Sequence, residues 1–132
     1  MAKEVTVSPG HGQYILLAED EPAILKFIQS MLEEMGYSVI AASSPHQALR
    51  LARDFKDQIE LLITDVIMPA MNGRDLADSI HSFCPSMNVL FVSGYPANIL
   101  DQHGILNDGV HFIAKPFSLS ALAEKVHQVL NQ

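Results

Sequence analysis

The chain is poor in cations, cysteine and tryptophan, and each shortage excludes something. Only 8 Lys and Arg stand against 15 Asp and Glu, a formal net charge of −7. The basic residues are scattered, with no Lys or Arg run, which excludes a binder of the nucleic-acid backbone: such proteins need a basic stripe and counterion release. The single cysteine, Cys84, can form neither an internal disulfide nor a cysteine-rich zinc site, and suits a reducing compartment. No apolar run approaches the roughly 20 residues of a membrane span, and the first residues lack the apolar core of a signal peptide. The expectation is a small acidic cytoplasmic domain without nucleic-acid or membrane contact. What the chain does have is core material: 48% of its 132 residues are apolar and 17% charged, enough for one domain and too few for two.

Residues 1–13 are polar and end in the turn-rich Ser8-Pro9-Gly10-His11-Gly12, a linker or tail ahead of a domain over 14–132. Gly10-His11-Gly12 is no dinucleotide loop, since no strand precedes it and no third glycine follows. Then an alternation begins. Tyr14–Ala18 is a short apolar run, as in a strand buried on both faces. Ile24, Phe27, Ile28, Met31, Leu32 and Met35 recur at spacings of three and four, the stripe of an amphipathic helix entered through Pro22 and left through Gly36. Ser38–Ala42 is a second strand. Ser44-Pro45-His46-Gln47 predicts a capping box, with Ser44 the cap and Gln47 reaching back, ahead of a second helix. Residues 61–65 form a third strand, followed by a loop over 66–73 and a third helix marked by Leu76, Ala77, Ile80 and Phe83, stopped before Pro85. Asn88–Ser93 is a fourth strand, 97–103 a weak fourth helix, 110–114 a fifth strand, and Ser118 caps a strong final helix. Five strands alternating with five helices across short loops make a single α/β domain, a parallel five-stranded sheet with helices on both faces. Ligands of such sheets sit beyond the carboxyl ends of the strands.

Those ends carry a consistent chemistry. The first strand runs into Glu19-Asp20-Glu21, the third ends in Asp65, the fourth in Ser93, and the fifth runs into Lys115-Pro116. Parallel strands bring these groups to one edge, where crowded carboxylates repel and raise one another's pKa. A hard divalent cation relieves that conflict, and Mg²⁺ is held by one or two carboxylates together with phosphate oxygens; Mn²⁺ is an admissible substitute. For Glu21, beside Pro22, a charge complementing the helix dipole is the favoured role; for Asp20 and Asp65 it is the metal. Asp65 is the best-placed nucleophile, since a carboxylate can take a phosphoryl group as an aspartyl phosphate. Such transfer depends on positioning and charge neutralisation, for which the cation, the Lys115 ammonium and the Ser93 hydroxyl are the available donors.

These residues resemble the receiver domain of two-component response regulators, over about Tyr14 to Leu130. The resemblance rests on Ile15-Leu-Leu-Ala-Glu-Asp-Glu-Pro22, Leu62-Ile-Thr-Asp-Val-Ile-Met-Pro-Ala-Met-Asn-Gly73, Val92-Ser-Gly94 and Phe112-Ile-Ala-Lys-Pro-Phe117, in order at successive strand ends. It implies a flavodoxin-like strand order 2-1-3-4-5, the order that a chemotaxis member of the family exemplifies. It implies Asp65 as phosphoacceptor, Asp20 as a direct Mg²⁺ ligand, Glu19 as an acid acting mostly through a water, and the backbone carbonyl of Ile67 as a third protein ligand. Ser93 matches the switch hydroxyl, Phe112 the switch aromatic and Lys115 the phosphate-binding lysine, its bond to Pro116 resembling one that is cis in the family. The implied donor is a sensor histidine kinase or a histidine phosphotransfer domain, and the output passes through contacts with a downstream protein or with the other domains of a hybrid kinase. The domain would be no enzyme beyond its own phosphorylation and dephosphorylation.

Departures from the family pattern sharpen the reading. Glu19 stands where aspartate is more frequent, and Phe112 where tyrosine is, so an inward switch would depend on packing alone. Ile67 and Tyr95 place bulk near the acceptor. The short fourth helix, with Ser93-Gly-Tyr-Pro96 and the stretch over 101–109, looks more like receivers attached to hybrid sensor histidine kinases. Gln132 follows the last helix directly, so a free-standing receiver or one taken from a longer chain is expected. Three other readings compete. A phosphatase with an aspartyl nucleophile wants a second acid two residues on, where Ile67 stands. A nucleotide or flavin binder wants a phosphate loop where the first carboxylates stand. A receiver-like binding module that is never phosphorylated would not need Asp20, Asp65, Ser93 and Lys115 together. The six histidines show no metal-ligand spacing, His111 beside Phe112 included, and most of the six methionines fall on helical stripes as core filler.

Overall fold

The computed structural model describes residues 13–94 and 111–131. Its elements follow the alternation: β1 (Tyr14–Ala18), α1 (Pro22–Glu34), β2 (Ser38–Ala42), α2 (Pro45–Asp54), β3 (Ile59–Asp65), α3 (Gly73–His81), β4 (Asn88–Ser93), β5 (His111–Ala114) and a final helix, α4 (Leu119–Leu130). The lead-in expected over 1–13 lies, apart from Gln13, outside the described residues, as do Val110, Tyr95 and the helix expected over 97–103.

All five strands are parallel in the order β2-β1-β3-β4-β5. The crossover that carries the chain from β2 past β1 to β3 leaves β1 in the sheet interior, which is why Ile15, Leu16, Leu17 and Ala18 are all buried without alternation. Successive residues point to opposite faces and build two cores. On one face Ile15, Leu17, Leu61, Ile63, Leu90 and Val92 meet Ile28, Met31 and Leu32 of α1 and Leu122, Val126 and Val129 of α4. On the other, Leu16, Leu62 and Phe91 meet Ala48 and Ala52 of α2 and Leu76, Ala77 and Ile80 of α3. Each fully buried Leu or Ile contributes about 1.5–3 kcal/mol of transfer free energy.

Three details depart from the sequence reading. Strand β3 begins two residues early, because Ile59 is buried and pairs with Tyr14 across a register shift. The capping box at α2 is displaced: Gln47 N–H donates to Ser44 Oγ at 3.2 Å as predicted, but Gln47 Oε1 accepts from Ser43 N–H at 2.7 Å, one residue before the cap. Phe27, counted on the apolar stripe of α1, is 59% exposed. At 100° per residue it stands at the stripe's margin while Ile28, Met31 and Leu32 face the sheet. Asn72 and Ser118 cap α3 and α4 through the backbone N–H groups of Asp75 and Ala121, at 2.8 and 3.1 Å. The buried Met68 and the partly buried Met71 anchor the loop between β3 and α3 in the core.

Candidate functional site

The parallel sheet delivers the ends of β1, β3, β4 and β5 to one edge, and the chain fixes each end there. Glu19 N–H donates to the Ala42 carbonyl at 3.1 Å, Val66 N–H to Val92 at 3.1 Å, and Lys115 N–H to Ser93 at 2.8 Å, so each ladder continues just past its strand. Glu19, Asp20 and Asp65 thereby each place a carboxylate oxygen within 4.8 Å of the others. Lys115 arrives from β5 ahead of a cis bond to Pro116. Its Nζ donates to Glu19 Oε1 at 2.9 Å and stands 3.6 Å from Asp65 Oδ2.

Glu19 is almost fully buried, Asp65 and Lys115 mostly so. Burial, reinforced by the negative charges of Glu19 and Asp20, pushes the Asp65 carboxyl from its ordinary 3.8 up to about 6, although the Lys115 ammonium and the Val66 N–H pull the other way. For Lys115 burial favours the neutral amine, but the hydrogen bond to Glu19 and the charges of Asp65, Glu19 and Glu21 outweigh it, and its pKa ends above the ordinary value. Three carboxylates thus face one ammonium, leaving an oxygen-only donor set with an excess of negative charge. That is the chemistry of a hard divalent cation with few protein ligands.

The family model for the response regulator receiver domain matches residues 15–127. The chain belongs to the response regulator receiver domain family. Among curated relatives, this receiver domain is 31% identical over 118 residues to the sensor kinase CckA of Brucella abortus, covering 89% of this chain but only 12% of the kinase. It is 29% identical to the response regulator receiver protein CpdR of the same organism, covering 88% of this chain and 95% of that protein. Among solved structures, the receiver domain of the hybrid histidine kinase CckA superposes with a TM-score of 0.76 at 35% identity, over 89% of this chain and 99% of the other. Receiver domains bind Mg²⁺ at an acidic pocket, and this domain has an acidic cluster of Glu19, Asp20 and Asp65 at one edge of its sheet.

The other residues expected at the site from the sequence lie around this edge. Ser93 is buried at the end of β4. Phe112 on β5 pairs in register with Phe91, and Ser93 pairs with Ala114. By strand alternation, Ser93 and Phe112 therefore share one face of the sheet, two residues apart in register, with Phe112 half-buried against the α2–α3 core. Ile67 lies in the loop after β3 with an exposed side chain. Glu21 is the N-cap of α1 without a side-chain capping bond, and its N–H donates to Glu19 Oε2 at 3.2 Å.

Two features escape a reading of the sequence. One is the Lys115–Glu19 pair, which joins residues 96 positions apart and has no spacing signal. The other is an apolar hollow of about 230 Å³ beside Lys115, lined by Ile24, Phe27 and Ile28 of α1 with Pro116 and Phe117. Phe27 and Pro116-Phe117 signal it only once α1 and the β5–α4 loop are known to meet.

Proposed function

We propose that this receiver domain is a phosphoacceptor switch of a two-component phosphorelay, taking a phosphoryl group onto Asp65 from a phosphohistidine on a partner. The observation that carries the reading is the convergence of Glu19, Asp20, Asp65 and Lys115 on one edge of the sheet. Asp65 attacks phosphorus, the P–N bond of the donor breaks as an Asp65 Oδ–P bond forms, and the imidazole leaves neutral when its other nitrogen holds a proton. Lys115 neutralises phosphoryl oxygens during transfer and Ser93 offers a hydroxyl donor. Glu19, Asp20, Asp65 and the Ile67 carbonyl are the groups that would hold Mg²⁺, which supplies charge neutralisation at the transferring oxygens. Hydrolysis reverses the charge change: water attacks phosphorus, the P–O bond to Asp65 breaks, and inorganic phosphate leaves.

A histidine kinase or histidine phosphotransfer domain is the donor that fits, because no phosphate-binding loop accompanies the acceptor and the phosphoryl group must arrive already bound. The exposed Phe27 and the hollow beside Lys115 give such a donor an apolar footing next to Asp65. Likeness to the CckA receiver favours a place among hybrid kinases, in the cytoplasm, with output through protein contacts. Receiver domains are not classical enzymes, and the chemistry proposed for this one is the phosphorylation and dephosphorylation of Asp65. Intact-mass spectrometry after incubation with acetyl phosphate and Mg²⁺ tests the reading. One added phosphoryl group, lost in Asp65→Asn and in chelator, is expected; no adduct together with no beryllofluoride binding leaves an unphosphorylated binding module.

A further inference from the structure

Among the described residues three polar side chains are buried: Glu19, Thr64 and Ser93. Glu19 and Ser93 belong to the site already described. Thr64, the residue before the acceptor, is fully buried and has no part in it so far. Its partners in register are Ala18 on β1 and Phe91 on β4, and Leu62 and Val66 lie two residues to either side of it. None of these side chains offers a hydroxyl a partner. Valine would fill the same space and suit a strand equally well, so what threonine adds here is the hydroxyl. That group donates to the backbone carbonyl of Asp65 at 2.9 Å, which relieves the cost of burying it.

The Asp65 carbonyl is one end of the peptide group by which the chain leaves the acceptor. The other end, the Val66 N–H, donates to the Val92 carbonyl at 3.1 Å, and the Val66 carbonyl accepts the Gly73 N–H at 2.7 Å. The Gly73 backbone also closes on the Thr64 methyl, since a Cβ at position 73 would stand 3.2 Å from Thr64 Cγ2. Thr64 thus holds one side of the Asp65–Val66 peptide while β4 and the start of α3 hold the chain just beyond it. The orientation of this peptide relates the Asp65 carboxylate to the Ile67 carbonyl two residues on, and these are the two groups from β3 and its loop that would share a cation.

We propose that Thr64 is a positioning residue for phosphoryl transfer, a role that rests on Asp65 being the phosphoacceptor. Its hydroxyl locks the Asp65–Val66 peptide and so keeps the Asp65 carboxylate and the Ile67 carbonyl in the relation that one cation requires. Thr64 touches neither the phosphoryl group nor the metal; it acts through the backbone of its neighbour. Without the hydroxyl the peptide is free to rock, the Val66 N–H loosens from Val92, and the two oxygens spend less time aligned on the same point.

The test compares two pairs that differ at the hydroxyl, wild type with Thr64→Val and Thr64→Ser with Thr64→Ala. Three quantities are measured: metal-free exchange of the Val66 amide relative to the other amides of β3, Mg²⁺ affinity by NMR titration, and the rate of Asp65 phosphorylation by acetyl phosphate at saturating Mg²⁺. Loss of the hydroxyl is expected to speed Val66 exchange selectively, to slow phosphorylation, and to weaken Mg²⁺ binding about ten-fold, the low end of what losing a group behind a metal ligand costs. Thr64→Ser, which keeps the donor, stays close to the wild type in all three. A role in packing alone would lower thermal stability and speed the β3 amides together, with Mg²⁺ affinity unmoved. The serine–alanine pair gives the answer if Thr64→Val does not fold. Unchanged Mg²⁺ affinity, or unchanged relative exchange of Val66, within the folded pairs overturns the role of Thr64 and leaves the phosphoacceptor reading intact. Absence of a phosphoryl adduct in the wild type overturns that reading and, with it, a part for Thr64 in the transfer.

Discussion

Gly73 passes so close to Asp65 that a Cβ at position 73 would collide with the Asp65 carbonyl oxygen. The same residue donates its N–H to the Val66 carbonyl at 2.7 Å, closing the loop from the acceptor strand back onto its own end. Only glycine lets backbone approach backbone this closely. We expect Gly73→Ala to destabilise the domain by about 1–3 kcal/mol, the range of overpacking, and to reduce Asp65 phosphorylation by acetyl phosphate. Urea denaturation beside intact-mass kinetics checks it. Unaltered stability would mean that the loop shifts freely, and that Gly73 does not fix the acceptor.

Three residues earlier the same loop holds Ala70 at φ 74°, the left-handed region that costs a residue with a Cβ about 1–2 kcal/mol. Glycine removes that cost but gains roughly 0.4–1 kcal/mol of freedom in the unfolded chain. Ala70→Gly is therefore expected to stabilise by about 0.5 kcal/mol, and Ala70→Val, with a branched Cβ, to destabilise. Paired urea titrations distinguish the two signs.

The legibility of the fold and site in the amino-acid sequence differs from element to element. The strands read well because their composition alone settles them: Tyr14–Ala18 and Asn88–Ser93 match the structure residue for residue. Asp20, Asp65 and Lys115 are legible as a group because parallel strands send every carboxyl end to one edge. The start of β3 is not, because Ile59-Glu60 offers a single apolar residue, and only the register against Tyr14 shows that it pairs. Phe27 falls on the predicted core stripe yet outside the core, because periodicity marks a stripe but not its margin. The Lys115–Glu19 bond is out of reach of sequence, since which of two neighbouring acids a lysine takes is decided by local geometry at the sheet edge, not by spacing.

The raised pKa of Asp65 makes stability without metal depend on pH, and its sign is fixed. The folded domain holds the Asp65 proton up to about pH 6, against 3.8 ordinarily. This group's contribution is therefore complete below the unfolded pKa and is lost as pH rises through the folded one. In chelator, its share of the unfolding free energy falls by on the order of 2–3 kcal/mol between pH 4 and pH 6.5. Mg²⁺, which favours the ionised carboxylate, stabilises little at pH 4 and progressively more toward pH 7. Asp65→Asn should flatten the metal-free profile over this window and be more stable than the wild type at pH 7. Denaturation curves at four pH values, with and without Mg²⁺, decide it; equal pH dependence in wild type and Asp65→Asn would remove Asp65 as the cause.

Phe112 and Ser93 share a face of the sheet two residues apart in register, so a change at the buried end of β4 has a direct route to the half-buried aromatic on β5. Without a phenolic hydroxyl, Phe112 has no hydrogen bond to hold it in either position, and packing alone sets its balance. On the proposed mechanism, movement of Ser93 toward a phosphoryl group at Asp65 would open space on that face for the ring to turn into. The chain contains no tryptophan, so Phe112→Trp supplies a single indole that can be excited apart from the tyrosines. Its emission is expected to shift to shorter wavelength on adding beryllofluoride and Mg²⁺, as the ring leaves solvent for the core. Combined with Asp65→Asn the shift should vanish, and with Ser93→Val, whose extra bulk fills the space the ring must enter, it should be largely lost. A shift that survives Ser93→Val would show that the aromatic responds by a route that does not pass through Ser93.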